Sequence, residues 1–371
     1  MNPQPAASGP APNTLVSGAD PRPPSPLSSP LSSPLSAARS SAGRRWVGLV
    51  PLAILCVAAL AASMLVGSRA VPPGEVIQAL LHPDPADAIS QTVWFSRVPR
   101  TVLILVAGAA LGVAGALMQA VTRNPMTDPG ILGVNAGASL AVVVGLAFFG
   151  MTDISQYMWW SFAGAMITSV LVFVIGNTGT ARGNPVRMTL SGVALGAVLM
   201  GFSSAVLLTH SEILEKMRGW SAGTTASQPL EATLAIVPFI VVGLVIALLS
   251  SRSLDVLSLG EASAVAMGAH PNRIRLVVLV AIALLAGGAT AAAGPIGFLG
   301  LLAPHLARMI VGPHQGWILA YSVLIAPTVM GFADVLGRVI TAGEVPVGVV
   351  TAFIGAPVLI YMVRRFRVSE V

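Results

Sequence analysis

Charged side chains are the scarcest class in this chain: Asp, Glu, Lys and Arg make up 9% of its 371 residues, where a soluble globular domain carries about 25%. A water-facing surface for so long a chain cannot be built from so few charges. The shortage excludes a cytosolic enzyme, a secreted domain and a nucleic-acid-binding module, even though the pI lies near 10.6. Cysteine is almost absent too. Cys56 stands alone, so there is no intramolecular disulfide and no thiolate metal cluster. The phosphate-cradling pattern GxxxxGK followed by Ser or Thr is missing, so ATP-driven work would need a nucleotide site on another chain. The five histidines (His82, His210, His270, His305 and His314) fall in separate segments without helical pairing, which argues against a metal site. Intramembrane carboxylates are equally rare. Asp334 is the one acidic residue expected inside a span, with Arg338 four positions on. That spacing predicts an ion pair on one helix face, and the poverty of buried acids argues against a proton-driven secondary transporter.

What the chain does have is apolar sequence. Hydrophobic residues make up 55% of it, glycine contributes 38 positions, and the mean hydropathy is +0.83. The composition predicts an all-α polytopic membrane protein. The first 45 residues are the exception, with ten of the 28 prolines, ten serines and the near-repeat PLSSPLSSPLS. So little apolar surface cannot offset the entropy of ordering, and residues 1–45 read as a disordered, solvated tail. The apolar run 46–66 follows Arg44 and Arg45. It is long enough to cross a bilayer and longer than the roughly 7–15 residues of a signal-peptide core. Nine more apolar stretches lie near 99–121, 130–150, 157–176, 187–208, 232–250, 273–293, 297–311, 317–338 and 346–363. Ten spans are therefore expected, several interrupted by Gly or Pro, around 294–304 above all. Interrupted backbone is tolerated at membrane depth only where protein or a water-filled cavity surrounds it. With the tail on the cytoplasmic side, alternating spans put fourteen basic residues inside and six outside, which predicts both termini inside.

Small-residue pairs at Gly108 and Gly112, Gly133 and Gly137, and Gly192 and Gly196 predict helices packed backbone to backbone. Four longer segments are more specific. RVPRTVLILVAGAALGVAGALMQAVTRNPMTDPGILGVNAGASL (97–140), LSLGEASAVAMGA (257–269), GPIGFLGLLAPHLARMIVG (294–312) and EVPVGVVTAFIGAPVLIYMVRR (344–365) stand in this order. Together they closely resemble the FecCD-type permease subunits of iron-siderophore, haem and cobalamin ABC importers. Met126 and Thr127 replace the Leu and Ala usual in that family. The resemblance covers about residues 46–367. It implies a type II importer permease, a transport subunit rather than an enzyme, without a cofactor or metal of its own. Its implied partners are a second permease subunit (the same chain or a paralogue), two cytoplasmic ATP-binding subunits and an extracytoplasmic solute-binding protein. The implied cargo is a ferric-siderophore complex, with haem or cobalamin as the alternative. Lipid is the surrounding medium, and no nucleic acid is involved.

Site expectations follow from the same segments. The cytoplasmic loop 252–272 is expected to couple to the ATPase through Leu259, Gly260, Glu261, Ala264 and Gly268, with Glu261 free to pair with a basic group on that partner. Asn124, Pro125, Asp128, Pro129, Gly294, Pro295 and Gly297 mark broken spans expected to border the translocation path. The segments 97–130 and 273–297 run in opposite expected directions, which suggests an inverted repeat. Arg97, Arg100 and Arg338 run against the positive-inside trend, and the resemblance implies that they receive acidic residues of the binding protein. Arg suits such a task because its fork grips a carboxylate bidentately. The topology is directly testable. Fused after Arg364, green fluorescent protein should fluoresce and alkaline phosphatase should stay inactive; an active phosphatase would reverse the assigned orientation.

Overall fold

The computed structural model describes residues 34–67, 71–178, 185–226, 228–341 and 343–365. The tail before Pro34 lies outside the described residues, as do Arg69, Arg182 and Arg367 of the topology count. The described residues from Arg44 to Arg365 pack as one compact unit.

The described residues form helices joined by short connections. In chain order these are α1 (Pro34–Leu65), α2 (Pro73–Leu81), α3 (Ala88–Thr92), α4 (Val98–Thr122), α5 (Val134–Phe148), α6 (Ile154–Asn177) and α7 (Pro185–Thr209). There follow α8 (Ser211–Ser221), α9 (Leu230–Ser258), α10 (Glu261–Ala266), α11 (Pro271–Ala293), α12 (Leu299–Val311), α13 (Gln315–Ile340) and α14 (Val347–Arg365). Among the described residues, seven helical stretches are long and apolar enough to cross a membrane, and α5, α12 and Val347–Tyr361 of α14 are shorter apolar helices. Together they correspond to the ten expected spans. The differences lie at the ends. Helix α1 begins at Pro34, inside the stretch read as a disordered tail, and α9 continues eight residues past the expected limit of 250 to Ser258.

Helices α5 and α12 have 15 and 13 residues, about 22 and 20 Å at 1.5 Å per residue. Neither covers the roughly 30 Å of a bilayer's hydrocarbon core. Helix α4 has the opposite character. With α3 and a π-helical turn at Val93–Arg97 it forms one continuous stretch, Ala88–Thr122. The π turn has a local cause: Pro99 offers no N–H to the carbonyl four residues back, and the Val98 N–H bonds to Val93 O, five residues away.

Helix α4 is the axis of the bundle and packs against α9, α11, α12 and α13. Nearly every residue from Ala107 to Thr122 is buried, most of them Ala or Gly. Backbone meets backbone at its glycines. A Cβ at Gly108 would lie 2.6 Å from Pro327 Cα, one at Gly112 would lie 2.6 Å from Ser322 O, and one at Gly115 would collide with Gly300 O. Gly137 approaches Gly164 O in the same way, and Gly192 approaches Ile131 O. Gly196 is the roomy member of its pair, with Ala136 Cβ its nearest neighbour at 3.8 Å.

A contrast between two glycines tests this packing. Gly115→Leu should destabilise the solubilised protein by several kcal/mol, above the roughly 1–3 kcal/mol usual for overpacking, because rigid backbone blocks the side chain. Gly196→Ala should be neutral, or stabilising by about 0.5–1 kcal/mol. Equal thermal midpoints for the two variants in size-exclusion assays would contradict the role given to Gly115.

Candidate functional site

Two irregular connections interrupt the bundle, and the fold brings them together. The first follows α4. Arg123 adopts a left-handed conformation (φ 50°) as its C-cap. Asn124 Oδ1 accepts from the Met126 N–H at 2.9 Å, and Thr127 Oγ1 donates to Asn124 O at 2.7 Å while meeting Thr122 Oγ1 at 2.6 Å. Pro125 is buried. Asp128 then caps a short 3-10 turn that opens with Pro129, accepting from the Gly130 N–H at 2.8 Å. Gly133, at φ 72°, turns the chain into α5.

The second break follows α11. Gly294 has φ 75°. Its φ and its contact with Trp220 O leave no room for a side chain. Pro295, Ile296 and Gly297 follow, and Phe298, left-handed at φ 65°, opens α12. The freed backbone is partly reclaimed by neighbours. The Thr224 N–H bonds to Ala293 O at 2.8 Å, the Gly348 N–H bonds to Gly223 O at 2.9 Å, and Thr351 Oγ1 reaches Gly297 O at 3.5 Å. Such satisfaction by protein is the condition for irregular backbone among apolar helices.

The two breaks meet at two points. A Cβ on Gly300, in the first turn of α12, would lie 3.0 Å from Pro129 Cδ and 3.2 Å from Asp128 Oδ2. Thr290 Oγ1 of α11 donates to Asn135 Oδ1 of α5 at 3.1 Å. Sequence reasoning named the breaks but not their convergence. It also missed a polar seam between α4 and α12, where buried Gln119 donates to Leu301 O at 3.3 Å and accepts from Arg308 Nη2 at 3.2 Å. One turn from Leu301, His305 Nδ1 is buried without a hydrogen-bond partner among the described residues. Gln119 itself was the available signal, because a glutamine in an apolar helix demands partners.

The three arginines occupy the end of the bundle where α1 finishes and α4 begins. All are buried, at 4–7% exposure. Arg97 Nη1 donates to Met64 O at 2.6 Å and Leu65 O at 3.1 Å. Arg338 donates to Ser63 O, Val66 O and Ser63 Oγ, and pairs with Asp334. Arg100 Nη2 pairs with Glu344 Oε2 at 2.6 Å. The physical reason is the end of α1, whose last carbonyls have no partner within the helix. Guanidinium groups supply the missing donors. Each of the three cations thus has an acceptor within this chain. The Asp334–Arg338 pair is the structural ion pair that its spacing predicted, and Thr225 Oγ1 adds a hydrogen bond to Asp334.

At the opposite end lies the 252–272 loop. Gly260 (φ 109°) precedes α10 and Gly268 (φ 80°) follows it. Both lie where a side chain is strained. Ala264 is fully buried beneath the turn, while Leu259, Val265 and Met267 are 66%, 57% and 56% exposed. Glu261 is not free: both carboxylate oxygens receive Arg275 guanidinium nitrogens of α11 at 3.3 Å. Asp255 Oδ1 accepts from the Gln315 N–H at 2.9 Å, and Arg123 Nη2 donates to Leu257 O at 2.7 Å. The turn is therefore pinned at its base and apolar at its tip. Among the described residues no cluster of three or more His, Cys, Asp or Glu could hold a metal ion.

Comparison with known proteins agrees with this architecture. Residues 54–365 match the FecCD transport family. The ferric enterobactin transport system permease protein FepD of Escherichia coli K12 is 44% identical over 327 residues, covering 88% of this chain and 97% of FepD. The Fe(3+)-citrate import system permease protein YfmD of Bacillus subtilis 168 is 40% identical over 272 residues, covering 73% of this chain and 80% of YfmD. A solved structure described as a metal-chelate type ABC transporter in an inward-facing conformation superposes with a TM-score of 0.73 at 26% identity, covering 86% of this chain and 98% of that one. With its short helices, its converging breaks and a match along nearly its whole bundle, this multi-pass membrane protein belongs to the FecCD transport family.

Proposed function

We propose that the chain is the membrane-spanning permease subunit of an ATP-driven importer for a ferric-siderophore complex. The observation that carries the reading is the α10 turn. Three exposed apolar side chains, Leu259, Val265 and Met267, crown a segment held at its base by Arg275 and Asp255. A rigid apolar tip on a connection between spans is suited to burial in a partner's cleft, and a partner must supply the ATP site that this sequence lacks. The positive-inside bias assigns that end to the cytoplasm. The 44% identity to a ferric enterobactin permease supports the cargo class.

In this reading two permease subunits, two ATP-binding subunits and a solute-binding protein form the working assembly. The converging breaks around Asp128, Pro129 and Gly294–Gly297 border the path, which runs between the two permease subunits. A large chelate needs a wide conduit with few fixed charges, and irregular backbone lined by small residues provides one. The binding protein lands on the end that holds Arg97, Arg100 and Arg338. Their role there is to keep the ends of α1, α4 and α13 in register beneath the landing surface, with the Arg100–Glu344 pair at its rim.

Two variants test the coupling turn. Val265→Glu with Met267→Glu alters exposed side chains only, so membrane abundance should stay unchanged. Co-purification with the ATP-binding subunit and uptake of a radiolabelled ferric catecholate should each fall about tenfold or more, as expected for charges placed in a buried interface. Gly268→Leu, strained at φ 80°, should lower uptake per ATP hydrolysed while retaining assembly. Unaltered co-purification and uptake in the double variant would overturn the coupling role. Wild-type uptake of haem or ferric citrate, with none of the catecholate, would overturn the cargo.

A further inference from the structure

A groove of about 570 Å³ opens where α4 and α9 begin, at the same end as the arginine network. That volume falls within the range typical of small-molecule sites. Trp94, Phe95, Pro99 and Leu230 form its apolar walls, and Asp84 and Glu231 stand among them. None of its lining residues is basic.

The walls are fixed before anything binds. Trp94 Nε1 donates to Ala79 O at 2.9 Å, and Gln91 Nε2 donates to Pro85 O at 2.8 Å. Asp84 Oδ1 accepts from the Ala86 N–H at 2.9 Å, which leaves Oδ2 without a hydrogen bond among the described residues. Proline at 83, 85, 99 and 229 stiffens the backbone further. A site ordered in advance avoids much of the entropy cost of binding. Phe95 is 81% exposed at the level where two apolar helices start, the depth at which aromatic rings meet lipid headgroups.

We propose that this groove binds the primary-amine headgroup of a membrane phospholipid of the phosphatidylethanolamine type. The ammonium sits between the Asp84 and Glu231 carboxylates and against the Trp94 and Phe95 rings, where cation–π attraction adds to charge pairing. With no cation in the lining, the lipid phosphate stays in water at the mouth. The acyl chains extend from the mouth into the surrounding bilayer. An anionic headgroup would bring like charge against two carboxylates and is disfavoured. A lysine-bearing protein segment has suitable charge, but a lipid is already present at this depth at high local concentration. The inference does not depend on which substrate is carried.

Native mass spectrometry of the full chain in detergent, titrated with short-chain phosphatidylethanolamine and with phosphatidylglycerol of equal chain length, tests the proposal. The amine lipid should be retained roughly threefold to tenfold more strongly. Asp84→Asn with Glu231→Gln keeps the turn acceptor for Ala86 and should erase the preference without lowering the thermal midpoint. Phe95→Leu keeps the apolar wall and should reduce amine-lipid retention while leaving phosphatidylglycerol unchanged. Equal retention of both lipids by the wild type would overturn the proposal, as would a preference that survives both variants. Displacement of the amine lipid by a lysine-bearing peptide at lower concentration would overturn it in favour of a protein partner.

Discussion

How closely other backbones can approach α4 governs the rest of the bundle. Between apolar helices in lipid there is no solvent-driven gain from burying one oily side chain against another, so packing contacts must hold them together. Helix α4 meets that demand by giving up side chains. Gly108, Gly112 and Gly115 lie on one face and admit Pro327, Ser322 and Gly300 respectively. The last contact matters most, because Gly300 belongs to the first turn of α12. Fixing that turn against α4 fixes where the second break in the chain must lie.

The breaks extend the same logic to the backbone's own polar groups. A chain that leaves helical geometry among apolar helices must find each freed N–H and C=O a partner. In the first connection the side chains of Asn124, Thr127 and Asp128 supply several of them locally. In the second, few local polar side chains exist, and the Thr224 N–H takes Ala293 O instead, while Gly223 is itself held by the Gly348 N–H. This difference accounts for how closely the loops beside Gly223 and Gly348 pack. They are part of the solution for Gly294–Gly297, and a Cβ at Gly223 or Gly348 would strike a carbonyl oxygen.

Most of the spans were legible because hydropathy alone marks them: α4, α11 and α13 lie within two residues of the expected limits at each end. Helix ends were less legible. The extra turns of α9 through Ser258 follow an apolar run that stops near 250, and their stability comes from contacts such as Arg123 with Leu257 O. The short helices α2, α3 and α8 escaped notice because each is too short to show a periodic signal above its surroundings. Site residues divided the same way. Positions whose backbone carries the information, such as Gly260, Gly268 and Gly294, were identifiable from sequence, since glycine beside a break points to an unusual φ. Charged positions were not, because their partners are distant in sequence. Arg338 meets carbonyl groups some 270 residues away, and nothing in the sequence around Arg97 reveals that it will cap α1.

The fate of the few charges gives the ends of the molecule their different characters. Each buried guanidinium needs an acceptor, or its desolvation would exceed what packing returns. At the α1 end those acceptors are helix carbonyls, Asp334 and Glu344, so several charges are consumed in joining α1, α4, α13 and the segment before α14. At the other end, Arg275 and Asp255 do the corresponding work beneath α10 with Glu261 and Gln315. With those groups paired at its base, the turn carries Leu259, Val265 and Met267 exposed at its tip. In a chain with 9% charged residues, rigid ends and an unsolvated tip have the same origin. In the proposed function it is this exposed apolar turn that the ATP-binding subunit covers, so the same shortage of charge that rigidifies the ends leaves the surface a partner would bury.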